Sequence, residues 1–231
     1  MEKNNKLGLF IFLGLLCIAI STPFAVSRFT DAGRSVSVKG LCEKEVLATR
    51  AIWPIVYKEG GNSIAELAAN TEKKNGIIIE WLKAAGFSEK EISVSAPKIE
   101  NLKANGYSQN NVYDYVMTSV ITVCTDQVEK VVEYQAKQLS LVSKGIAVSG
   151  DSWEYTTSFE FTKLNDIKPE MIEQATKNAR LAAEKFAKDS GSRVGKIISA
   201  SQGQVSISDR DSNTPYVKTV RVVTSINYQL R

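Results

Sequence analysis

Apolar and polar residues alternate over Arg34–Gly40, with Val36 and Val38 on one side, which is the spacing of a half-buried strand; Gly40 predicts a bulge or bend at its end. Glu45–Lys58 carries Val46, Ala48, Ile52, Ile55, Val56 and Tyr57 and predicts a second β stretch, in which Pro54 points to an edge or a kink. After the turn Gly60-Gly61-Asn62 the period changes. Ile64, Leu67, Ala68, Thr71, Ile78, Leu82 and Ala85 recur at helical spacing, behind a Ser63/Glu66 capping box and before a Gly86 stop. Phe87–Glu91 predicts a short capped turn, Ile92–Ser95 a strand with Pro97 at an edge or bulge, and Asn101–Asn111 a hairpin loop.

Tyr113–Val123 is apolar on both faces and predicts a central strand. Val128, Val131, Val132, Gln135, Leu139 and Val142 form the stripe of a second helix that Gly145 ends. Ile146–Val148 and Trp153–Thr162 predict strand, with Trp153, Tyr155, Thr157, Phe159 and Phe161 on one face. A third helix runs from Asp166 to Ser190, and its stripe is Ile172, Ala175, Ala179, Ala182, Ala183, Phe186 and Ala187. So many alanines predict close approach to a neighbouring element. Two strands, Gly195–Ser208 and Val217–Leu230, close the chain. The order β-β-α-β-β-α-β-α-β-β predicts an α+β fold, with three main helices packed on a mostly antiparallel sheet.

The first 27 residues read differently. Lys3 and Lys6 precede the apolar run Leu7–Ile20, and Ala25-Val26-Ser27 offers a small-x-small ending. This predicts a secretory signal peptide. An uncleaved membrane anchor over Leu7–Val26 is the competitor, disfavoured because the continuous run is short and Pro23 weakens its end. Either way residues 28–231 form one exported domain.

Composition narrows the chemistry. The chain of 231 residues has no histidine, so no Ser-His-Asp triad, Cys-His pair or imidazole metal ligand can be built. No catalytic, cofactor-binding or metal-binding constellation stands out. The net charge of +4 is slight and interspersed, which predicts neither nucleic-acid binding nor a polybasic membrane patch. Cys42 and Cys124 remain beyond the leader. They are candidates for a disulfide or for redox thiols, or they are half-buried structural thiols; a bridge requires Cα atoms within about 7 Å. Asp209–Asn213 resembles the start of a calcium loop but lacks the sixth-position glycine and the later glutamate, so it reads as a polar hairpin tip. Gly191–Lys196 follows a helix instead of preceding one and reads as a helix stop.

Several pieces in order resemble the SIMPL-domain family of bacterial envelope proteins. They are Val36–Gly40, Trp81–Ile92, Ser119–Val131, Ala175–Lys196 and the closing Val220–Leu230 strand. The resemblance implies an α+β protein of the periplasm or outer envelope, homo-oligomeric in some relatives and linked in others to oxidative stress, with no established catalytic residues. The expectation is a non-enzymatic envelope protein that self-associates and associates with the envelope or membrane. The alternative is a binding module for a small molecule or envelope polymer, using an aromatic sheet face or the Asn101–Asn111 loop. Trp53, Tyr57, Trp153 and Tyr155 are the candidate interface or ligand aromatics.

Overall fold

The computed structural model describes residues 34–104, 112–150 and 153–231, with Gly14 and Ala19. The predicted leader and Asn105–Asn111 of the predicted loop lie outside the described residues. The α+β class and the antiparallel pairing stand, but the strands divide between two sheets.

Strands β1 (Ser35–Leu47), β10 (Val217–Leu230) and β8 (Val194–Gln202) lie in that order in a four-stranded sheet, with β9 (Ser206–Asp209) also paired to β10. The second sheet has β3 (Ile92–Val94), β5 (Tyr115–Thr125), β2 (Arg50–Gly61) and β6 (Val148–Ser149) in order. There β4 (Lys98–Asn101) adds to β5 and β7 (Ser158–Glu160) to β2. The helices are α1 (Ile64–Ala84), α2 (Val128–Ala136), α3 (Leu139–Val142) and α4 (Leu164–Asp189).

The described chain divides into two units. Unit one holds residues up to Lys44, Asn165–Ser206 and Val220–Arg231; unit two holds Glu45–Leu164 and Ile207–Thr219.

Unit one is packed with small residues. Ala175, Ala179 and Ala183 of α4 are fully buried, one turn apart, and Ala179 and Ala183 pack with Val38, Ile226 and Tyr228. Gly40 is where the backbones meet. A Cβ there would lie 1.8 Å from the Ala175 carbonyl oxygen and 2.5 Å from the Ala179 nitrogen. Its glycine therefore answers close helix–strand contact. Phe186, expected in the buried stripe, is 62% exposed.

Unit two is packed with large residues. Ile78 and Leu82 of α1 and Val131 of α2 are fully buried with Trp53, Ile55, Tyr57, Ile121 and Val123 of the sheet. Burying each large aliphatic stabilises by about 2 kcal/mol. Ser63 accepts from the Glu66 N–H at 3.4 Å to start α1, and Gly86 ends it with φ +87°. The second predicted helix is broken between Ala136 and Leu139. That break shifts the phase, so Leu141 is buried while Leu139 and Val142 of the predicted stripe are exposed.

Pro54 explains a further departure. It is central, not at an edge, because β2 pairs with β5 from Ala51 to Gly61. On its other side β7 pairs with Arg50–Ile52 and β6 with Val56 and Tyr57 only. Pro54 falls in the gap between them, where its missing N–H leaves no ladder bond unmade. A continuous strand cannot pair past that point, so the predicted Trp153–Thr162 strand shrinks to Ser158–Glu160, with Trp153 outside it.

Candidate functional site

Unit two contains a polar cluster under an open groove. Tyr57, on the buried face of β2, shares its single hydroxyl proton between the Thr71 carbonyl (2.9 Å) and Asn75 Oδ1 (2.7 Å). Ser119 Oγ of β5 donates to the same Oδ1 at 2.9 Å, and Thr71 Oγ1 to Met117 Sδ at 3.0 Å. Burial raises the Tyr57 phenol above its ordinary pKa, against the Ser119 hydrogen bond, so it stays a neutral donor. Thr71, Asn75 and Met117 also line a groove of ≈ 460 Å³, with Ile79, Pro97 and Ile99. One end of the Asn75 amide is thus fixed by two hydroxyls, and its other end is available to a ligand in a mostly apolar groove. Asn75 did not stand out in the sequence. The signal was present: it follows Thr71 by four residues, which extends the buried helix face.

A second cluster joins two of the family-like pieces. The Glu91 carboxylate accepts from the Ser88 N–H (2.7 Å), Ser88 Oγ (2.8 Å), Thr125 Oγ1 and Gln127 Nε2 (3.3 Å). Partial burial works to raise its pKa, but the Thr125, Ser88 and Gln127 bonds outweigh this and lower it to about 2. Lys130 donates to the Gly86 carbonyl at 3.3 Å and lies 5.4 Å from the Phe87 ring centre. The turn after α1 is therefore tied to the β5–α2 junction by charged hydrogen bonds.

The sequence candidates scatter. Trp53 is 1% exposed and Tyr57 fully buried, so neither presents a surface for a ligand or partner. Trp53 sits edge-on to Trp81 and Phe87 in the core. Trp153 is 95% exposed and Tyr155 half-buried. Cys42 is half-buried on β1 of unit one, Cys124 exposed on β5 of unit two, and both thiols are free. In the predicted loop, Asn101 Oδ1 accepts from the Lys103 and Ala104 N–H groups at 3.1 and 3.0 Å. The Asp209–Asn213 segment is a polar tip organised by Asp211, which accepts from the Asn213 and Thr214 N–H groups at 2.9 and 2.8 Å. Among the described residues no group of three or more Cys, Asp or Glu could hold a metal ion, and no helix is long and apolar enough to cross a membrane.

Two antiparallel sheets, one covered by an alanine-faced helix and one by a bulky core, define an α+β fold, with an open groove in unit two. The chain belongs to the SIMPL family, described as a protein of unknown function (DUF541), whose sequence model matches residues 36–227. No curated protein is significantly similar to it.

Proposed function

We propose that this chain is an exported cell-envelope protein that acts by self-association, not by catalysis, and supports envelope integrity or stress defence. The observation that carries the reading is the open strand β8. It is an edge of its sheet, seven of its nine residues are exposed, and Lys196 is its one charge. Ile197 and Ile198 are 53% and 54% exposed. A long, weakly charged edge with apolar side chains is a template for pairing with a second copy of the same strand. The leader and the family support export. The native mass and N-terminus of the protein isolated from its own cells under mild conditions test both parts. The expected result is a multimer that an Ile197→Lys/Ile198→Lys variant converts to monomer. A strict monomer at high micromolar concentration overturns the self-association.

The Asn75 groove favours a second reading, a binding module for a small, largely apolar molecule bearing one hydrogen-bonding group. The amide held by Tyr57 and Ser119 supports it.

A further inference from the structure

Charge is well mixed along the chain, yet folding gathers cations at one end of the four-stranded sheet. The Arg193 N–H donates to the Arg231 carbonyl at 2.6 Å and the Arg231 N–H to the Arg193 carbonyl at 2.8 Å. Mutually bonded residues on antiparallel strands hold their Cα atoms about 5.5 Å apart, and like charges so placed repel. Arg34 joins them: its carbonyl accepts from the Leu230 N–H at 2.9 Å and its Nη2 donates to Ser192 Oγ at 2.9 Å. Lys188, in the last turn of α4, lines an open recess of ≈ 440 Å³ together with Arg180, Glu184, Ser192 and Arg193, and Arg34 borders it through Ser192. Arg180 is paired with Glu184 at 2.9 Å. Among the described residues, Arg34, Lys188, Arg193 and Arg231 make no ion pair.

Lys188 has a local role, since cations suit the carbonyl end of a helix. Arg193 and Arg231 flank strands and have no ion-pair partner among the described residues, and Arg34 has only the neutral Ser192 hydroxyl. Glu184, which also lines the recess, is taken up by Arg180, so the charges of Lys188 and Arg193 are left for an anion that enters. We propose that this recess is a binding site for a phosphate group. Guanidinium forks give paired hydrogen bonds to phosphate oxygens, and several adjacent cations match a group that spreads its charge over three of them. Lys188 and Arg193 line the recess, and only the fold brings Arg34 to Ser192 and Arg231 to Arg193 beside it. The site does not depend on self-association.

The test uses the whole protein at low ionic strength and an Arg34→Gln/Lys188→Gln/Arg193→Gln variant. The probes are phosphatidylglycerol vesicles, phosphatidylcholine vesicles, inorganic phosphate and poly-glutamate. The wild type is expected to bind phosphatidylglycerol vesicles over phosphatidylcholine, or to melt at higher temperature with phosphate. The first identifies a lipid headgroup and the second a free phosphate. The variant is expected to lose roughly fivefold per cation removed, about a hundredfold in all. Its melting temperature without anion should hold or rise, because repulsion is relieved. Binding of neither phosphate source, binding unchanged in the variant, or equal binding of poly-glutamate overturns the proposal.

Discussion

The two units bury their helices by opposite means. In unit one α4 meets β1 through Gly40 and a ridge of alanines, so backbone approaches backbone and there is little side chain to remove. In unit two α1 and α2 stand off from their sheet on large side chains, and Trp53, Trp81, Phe87 and Tyr134 form a chain of edge-to-face contacts. A close-packed interior resists both added and deleted volume. Which of the two costs more depends on what fills the gap. Unit two should be fragile to deletion and unit one to addition.

Trp53→Ala breaks the comparison on the deletion side. Trp53 is 1% exposed at the centre of the aromatic chain. Truncating it is expected to cost about 4 kcal/mol, read as a lowered urea midpoint. A loss below about 1 kcal/mol would mean that the core collapses around the gap. Gly40→Ala tests the addition side. One methyl group would have to displace the α4 backbone, at an expected cost of about 3 kcal/mol. Its counterpart Ala179→Gly removes a methyl group from the same contact and should cost only about 1 kcal/mol, mostly helix propensity. If deletion at Ala179 cost as much as addition at Gly40, the proposed asymmetry would be wrong.

Much of this was legible in the sequence, and the misses have physical causes. Alternation and helical spacing placed α1, β5 and α4, and the alanine stripe pointed to close approach. The close neighbour of Gly40 was illegible because a glycine in a strand has two explanations, a bend or a close neighbour, and only the fold supplies the neighbour. Pro54 was misread as an edge signal because the gap between β6 and β7 is a matter of pairing, which no local pattern records. The burial of Trp53 and Tyr57 was hidden for a related reason. Trp53 and Tyr57 share a face with Ala51 and Ile55, and helices cover that face. The recess was illegible because Gly191–Lys196 reads as a helix stop until the fold brings Arg34 and Arg231 beside Ser192 and Arg193. Asn75 was hidden by its chemistry, since a polar residue on a helix face reads as solvent-facing until Tyr57 and Ser119 are placed beneath it.

The smallest expected effect separates the units by pH. Glu91 belongs to unit two, and its folded pKa lies near 2 against an ordinary 4.5. A carboxyl group whose pKa is lowered by folding binds fewer protons folded than unfolded. Its stabilisation is complete above about pH 4.5 and is lost as pH falls toward 2. The charge is partly exposed and screened, which holds the contribution of the bonds from Ser88, Thr125 and Gln127 below about 1 kcal/mol. Glu91→Gln keeps the shape but removes the charge, so it should lower stability at pH 7 by up to that amount and flatten the decline between pH 4.5 and 2. All three tryptophans, Trp53, Trp81 and Trp153, lie in unit two, so tryptophan emission during urea unfolding reports on the right part of the molecule. An acid decline equally steep in Glu91→Gln would assign it to other carboxylates and leave the tie between the turn and the β5–α2 junction without energetic weight.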